Sequence, residues 1–187
     1  PPSSPPRRPE SSRALRCFVA LWPAPAARAR LAALTAEQQA RFPQARPMRT
    51  ENLHLTLAFI GELDEPQARA VAQAVAGIDS LPFDWTLDRI GAFARAQVLW
   101  AGGPRSEALE ALAARARATL DALAIHFDRK PFVAHVTLLR DLPRAQANNA
   151  VQPIAPPLLW HAARPVLLRS ATEAGRLRYV EVAPPRG

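Results

Sequence analysis

The chain has 187 residues, a formal net charge of +8 and a hydrophobic fraction of 49%. That length suits one ordinary domain with a sizeable core; no apolar run approaches the ~18 residues of a membrane helix, and the single cysteine, Cys17, excludes an internal disulfide or a multi-cysteine metal cluster. The charge favours acidic partners such as a nucleic-acid backbone, but it is scattered arginine with Lys130 the only lysine, so alone it carries little weight.

Residues 1–13 are rich in Pro, Ser and Arg and hold no apolar anchor, so a disordered tail is expected there, with a single domain over 14–187. Arg7-Arg8 ahead of an apolar stretch has the outline of a twin-arginine export signal. Arg13 and Arg16 interrupt the approach, and Pro23 and Pro25 end a stretch that is too short, which leaves a cytoplasmic protein as the expectation.

Leu15–Leu21 is apolar and rich in strand formers, and Cys17 within it reads as a core thiol. Pro25 suits a first helical turn, and good helix formers run from Ala26 to Phe42. Leu53–Ile60 alternates as a strand expected to stop at Gly61; Asp64 then caps a helix that begins with Pro66 and closes at Gly77. Phe83–Phe93 and Val98–Ala101 form a predicted hairpin, with Gly91 as a candidate bulge. A long helix is expected from about Arg105 to Ile125, with Leu109, Leu112, Ala116, Leu120 and Leu123 along one face and His126 at its end. Phe132–Leu139 reads as a strand, Ala145–Pro157 as a polar, Pro-rich loop, and Val166–Ser170 and Leu177–Val182 as two last strands around a turn at Gly175. Runs of β-α-β and then β-β-α-β argue for an α+β domain with helices on sheet faces.

One short pattern occurs twice. The first strand reads H-L-T-L-A-F from His54 to Phe59, and the second reads H-V-T-L-L-R from His135 to Arg140. Side chains alternate along a strand, so His54 and Thr56 share one face while Leu53, Leu55 and Leu57 face the core, and His135 and Thr137 likewise share a face opposite Val136 and Leu138. Brought together, two imidazoles and two hydroxyls suit phosphoryl transfer. Hydroxyls donate to non-bridging oxygens, and imidazoles flank an in-line displacement as acid and base, because a pKa of about 6.5 lets either form exist near neutrality. The residues alone do not say which ring is the acid. A zinc site on His54 and His135 would want a carboxylate or thiolate nearby, and neither motif offers one. No cofactor or metal is therefore expected.

The paired motifs resemble those of the 2H phosphoesterase superfamily. Residues 14–183 are similar to its RNA 2′,3′-cyclic phosphodiesterase branch, once called 2′-5′ RNA ligases. The matching landmarks are R-C-F-V-A-L-W-P at Arg16–Pro23, E-N-L-H-L-T-L-A-F-I-G at Glu51–Gly61, V-L-W at Val98–Trp100, P-F-V-A-H-V-T-L-L-R at Pro131–Arg140 and S-A-T-E-A-G-R-L-R-Y at Ser170–Tyr179. The resemblance implies a bilobal α+β fold of two pseudo-symmetric antiparallel-sheet lobes, with outer helices, around a central cleft. It implies hydrolysis of RNA 2′,3′-cyclic phosphate ends to 2′-phosphomonoesters, with reverse 2′-5′ ligation as a side activity. Carried over residue by residue, His54 is the proton donor, His135 the proton acceptor, and Thr56, Thr137 and Arg140 hold the phosphate, although simple alternation puts Arg140 on the face of Leu138. Phe132 and Tyr179 are candidate base or ribose contacts, weighed against plain core packing. RNA or a related nucleotide is the implied partner and a monomer the implied state, with no membrane involvement. The same residues leave open a small cyclic nucleotide or a 2′-5′ oligonucleotide as substrate, and a non-catalytic RNA- or nucleotide-binding module as a different class. His161, Trp22, Trp85 and Trp100 read as surface or packing residues, and Arg49 as either a solvated charge or a guide for RNA.

Overall fold

In the computed structural model, which describes residues 14–185, strands form where β-branched and aromatic residues recur, and helices form where Ala, Leu, Glu and Arg dominate. The strands are β1 (Leu15–Leu21), β2 (Arg46–Pro47), β3 (Leu55–Leu63), β4 (Phe83–Phe93), β5 (Val98–Gly102), β6 (Val136–Arg140), β7 (Gln152–Ala162), β8 (Val166–Glu173) and β9 (Arg176–Glu181). The helices are α1 (Pro25–Arg41), α2 (Glu65–Ala76) and α3 (Glu107–Ala122). The tail expected over residues 1–13 lies outside the described residues.

All strand pairs are antiparallel, in the order β7-β4-β5-β6-β3-β1-β8-β9, with β2 alongside β6. The order divides into two four-stranded halves, β7-β4-β5-β6 and β3-β1-β8-β9, which meet where Leu55 pairs with Val136. The helices strengthen this seam. The α1 helix follows β1 but packs on β6 and β7 of the other half, and α3 follows β5 but packs on β3. Their buried residues, including Leu31, Leu34, Leu109, Leu112 and Leu120, join Leu55, Leu57, Val136 and Leu138 in one core. A smaller cluster of Phe18, Ala20 and Leu168 sits apart from it, flanked by Trp22, Val166 and Tyr179.

Local chemistry explains the element ends. Asp64 accepts from the Gln67 amide at 2.8 Å while the Gln67 side chain accepts from the Asp64 amide at 3.1 Å, a capping box that starts α2. Ser106 accepts from the Leu109 amide at α3, which closes before Ala124 (φ +53°), so His126 lies beyond the helix, not at its end, and Leu123 is exposed. β3 does not stop at Gly61. That residue adopts φ +102° beside an irregularity in the β1 pairing, and the strand runs on to Leu63. Gly91 is not a bulge: it pairs in register with Trp100, whose indole occupies the space a Cβ would need.

The expected loop over Ala145–Pro157 is corrected in its second part. Two 3₁₀ turns (Arg144–Gln146 and Asn148–Ala150) lead into β7, whose prolines are tolerated because it is an edge strand. Pro153 still pairs with Arg89, the Ala155–Pro157 tract falls in a register shift, and Ile154, Leu158, Trp160 and Ala162 turn inward. The strand expected from Phe132 begins only at Val136.

Candidate active site

The repeated motif begins each central strand. His54 and His135 each immediately precede the first residue of β3 and β6, and those first residues, Leu55 and Val136, are the pair that joins the halves. Antiparallel chains run in opposite directions from that point, so His54 lies toward Thr137 and Thr56 toward His135. Leu55, Leu57, Val136 and Leu138 are buried, whereas the two histidines and two threonines are half-buried on the opposite face.

Both motifs then bend in the same way. The β1–β3 register slips past Leu57, and the β5–β6 register slips past Leu138. Consecutive residues therefore both point inward, Leu57 with Ala58 and Leu138 with Leu139. The next residue in each copy swings back to the histidine face. In the first copy this is Phe59 and in the second it is Arg140, and both line one cleft with His54 and Thr56. The alternation that would have set Arg140 beside Leu138 is thus corrected by the bulge. Arg16, whose guanidinium lies 5.1 Å from the Phe59 ring centroid, and Arg46 line the same cleft.

Each imidazole is pinned by its own chain. His54 Nδ1–H donates to the Asn52 carbonyl at 2.7 Å, and His135 Nδ1–H donates to the Val133 carbonyl at 2.7 Å. In both cases the acceptor lies two residues earlier, which leaves Nε2 of each ring outside that bond and chemically able to take up or release a proton. His54 Nε2 lies 3.1 Å from Thr56 Oγ1. Aromatic rings fix both orientations. Phe18, Tyr179 and Trp22 surround His54 at centroid distances of 4.9, 5.0 and 6.3 Å, and Phe93 and Trp100 flank His135 at 5.0 and 6.4 Å.

This setting makes protonation costly. Burial pushes the His54 pKa down to about 4, and the positive charges of Arg140 and His135 push the same way against the Asn52 hydrogen bond. His135 is also depressed, by burial first and then by Arg140. Both shifts favour the neutral imidazole in the free protein. A bound phosphodiester anion reverses part of that cost, since a nearby negative charge favours imidazolium.

The sequence reading missed Asn52. Only 2% exposed, it ends the 3₁₀ turn Thr50–Asn52 and binds β9 through both side-chain atoms. Nδ2 donates to the Leu177 carbonyl at 3.0 Å, and Oδ1 accepts from the Tyr179 amide at 3.0 Å. One residue thus orients His54 through its carbonyl and fastens the strand carrying Tyr179 through its side chain. The E-N pair before the first motif was the available signal.

The other candidates separate. Tyr179 lines the His54 cleft, which has a volume of about 380 Å³. Phe132 lines a different groove, with Trp100 and Arg105. Thr137 pairs with Trp100 across β5. Cys17 is fully buried and burial raises its thiol pKa to about 11, as fits a core residue. His161 is exposed and pairs with Asp84, and Trp85 lies in the core. Trp22 and Trp100, read as packing residues, pack against the two histidines. Among the described residues no three His, Cys, Asp or Glu side chains gather as a metal-ligand set, and no helix is long and apolar enough to cross a membrane.

Two imidazoles, each held through Nδ1, on one face of adjacent strands across the midline of a duplicated sheet, with hydroxyls beside them and Arg140 in the His54 cleft, are the arrangement of a two-histidine phosphoesterase. Comparison with known proteins is specific on this point. The model of the LigT like phosphoesterase family matches residues 21–100, which takes in the first motif but not the second. The chain is 36% identical over 143 residues to the RNA 2′,3′-cyclic phosphodiesterase of Escherichia coli strain K12, covering 73% of this chain and 77% of that protein. It is 35% identical over 101 residues to the RNA 2′,3′-cyclic phosphodiesterase of Aeropyrum pernix, covering 50% of this chain and 57% of the relative. The crystal structure of E. coli LigT complexed with 3′-AMP superposes with a TM-score of 0.78 at 28% identity, over 91% of this chain and 96% of that one. A crystal structure from Thermus thermophilus superposes with a TM-score of 0.70 at 27% identity, over 89% and 94% of the two chains. The chain belongs to the LigT like phosphoesterase family, with the 2H phosphoesterase fold.

Proposed function

We propose that this protein is an RNA 2′,3′-cyclic phosphodiesterase that opens terminal cyclic phosphates to 2′-phosphomonoesters without a metal ion. The observation that supports this reading is the pairing of Leu55 with Val136, which sets two copies of one histidine–threonine motif on adjacent strands and on the same face of the sheet. His135 Nε2 takes a proton from water as the water oxygen attacks phosphorus. His54 Nε2 gives a proton to the ribose O3′ as the P–O3′ bond breaks. The products are a free 3′-hydroxyl and a 2′-phosphate. Thr56, Thr137 and Arg140 hold the non-bridging oxygens, Arg140 with a charge-assisted bond, and Tyr179 bounds the nucleoside side.

The low proton affinity of His54 fits the donor role. An imidazolium in a desolvated site releases its proton readily once the substrate anion has helped to load it. The enzyme acts as a monomer in the cytoplasm on this reading, which elution at the monomer mass from a sizing column would support. The direct test is a nucleoside 2′,3′-cyclic phosphate incubated with the purified protein and excess EDTA. The expected product is the 2′-monophosphate; formation of the 3′ isomer, or no turnover, refutes the assignment, and turnover lost only with EDTA refutes its metal independence.

A further inference from the structure

The cleft at His54 is not closed at its arginine end. Arg46, Arg140, Leu177 and Tyr179 line both it and a second cleft of about 530 Å³. The second cleft adds Arg49 and Arg176 to Arg46 and Arg140, and no acidic side chain lines it. Arg46 pairs with Asp141 at 3.0 Å and Arg49 with Glu51 at 3.5 Å, both at exposed positions where such pairs contribute little and exchange readily for a phosphate. Among the described residues, no ion pair engages Arg140 or Arg176.

This cluster is built into the active-site scaffold. Arg49 immediately precedes the 3₁₀ turn that ends in Asn52, and Arg176 opens β9 after a turn in which Ala174 and Gly175 both have positive φ. Asn52 ties the two segments together through Leu177 and Tyr179. The groove on the other side of the site, with Trp100 and Phe132, has no lining residue in common with the His54 cleft. That groove also carries Arg89 and Arg105, but each is paired with an acidic neighbour, Asp88 at 2.9 Å and Glu110 at 2.8 Å, so of the two sides the positive charge outside ion pairs among the described residues lies on that of Arg140 and Arg176.

We infer that Arg49 and Arg176 form a subsite for the phosphate on the 5′ side of the terminal nucleotide, so that the enzyme selects chain ends over free cyclic nucleotides. The inference rests on the phosphodiesterase reading. The cyclic phosphate closes the 3′ end of an RNA, so the rest of the strand extends only in the 5′ direction, and its next anion is the 5′-phosphate of the same nucleotide. Arginine suits that anion because its planar fork matches phosphate geometry. The requirement is one further phosphate, not a base.

Cytidine 2′,3′-cyclic phosphate with and without a 5′-phosphate separates these elements, used with the unaltered protein, Arg49→Ala, Arg176→Ala and the double variant. The 5′-phosphate should raise kcat/KM about tenfold or more in the unaltered protein. The double variant should lose that gain while hydrolysing the unphosphorylated nucleotide at an unchanged rate. With a short oligonucleotide, the salt dependence of log kcat/KM should become shallower by about 0.7 per arginine removed. An equal fall for both nucleotides, or no fall for either, overturns the subsite while leaving the phosphodiesterase intact. Absence of turnover of both by the unaltered protein overturns the phosphodiesterase reading and the subsite with it.

Discussion

Leu55 lies opposite Val136 at the position that joins the two halves of the sheet, and each is the residue immediately after a motif histidine. A single antiparallel pair thereby brings the two motifs together. It buries two aliphatic side chains against the helices and turns His54, Thr56, His135 and Thr137 to the other face. Widening this contact should separate the rings without touching them. Val136→Ala is expected to cost about 1–3 kcal/mol of stability and to lower kcat more than it raises KM, as steady-state kinetics on a cyclic nucleotide would show.

Arg140 faces both imidazoles, and its charge disfavours protonation of each. Both free-protein pKa values lie below the ordinary 6.5, so the bell in kcat/KM should peak on the acid side of 6.5, while the kcat profile, reporting the substrate complex, should lie at higher pH. Replacing Arg140 by Gln removes a positive neighbour, makes imidazolium easier to form and moves the kcat/KM bell to higher pH as KM rises. A bell that stays in place would show that Arg140 does not sense the histidines.

The same depression links pH to stability. The folded His54 pKa is about 4, against about 6.5 unfolded, so the unfolded chain binds more protons between those values. The stabilising contribution of neutral His54 is present above about pH 6.5 and is lost as pH falls toward 4, with His135 acting in the same direction. Melting temperatures from about pH 7 to 4.5 should fall less steeply for His54→Asn than for the unaltered protein.

Asn52→Ala keeps the carbonyl that orients His54 but strands the Leu177 carbonyl and the Tyr179 amide. Each lost bond costs about 1–3 kcal/mol if its partner stays buried and unpaired. A lower melting temperature and a kcat reduced about tenfold, with KM less affected, are expected from thermal melts and steady-state rates. A fall in stability without a change in kcat would confine Asn52 to the scaffold.

Much of this was legible in the residues. The apolar run at β1 and the Asp64–Gln67 box at α2 carry local signals, and the H-x-T alternation sorts core from cleft because side chains on a strand repeat every second residue. β7 was hidden because its prolines mask a buried alternation that an edge strand tolerates. The orientation of Arg140 was hidden because a bulge is a property of two strands together, not of the one that contains it. Gly91 has the same explanation: its need for a bare Cα comes from Trp100 on the neighbouring strand. Asn52 carried no periodic signal, and its role depends on β9, far along the chain.

The central claim is that two rings act as one acid–base pair on one phosphate. It is tested most directly by kcat/KM on a nucleoside 2′,3′-cyclic phosphate for His54→Ala, His135→Ala and the double variant, each with its fold confirmed by circular dichroism. Each single variant should fall by about 10²–10⁴, and the double variant should fall little further, because either loss alone breaks the pair. Turnover within a few-fold of the unaltered protein in either single variant would contradict the account.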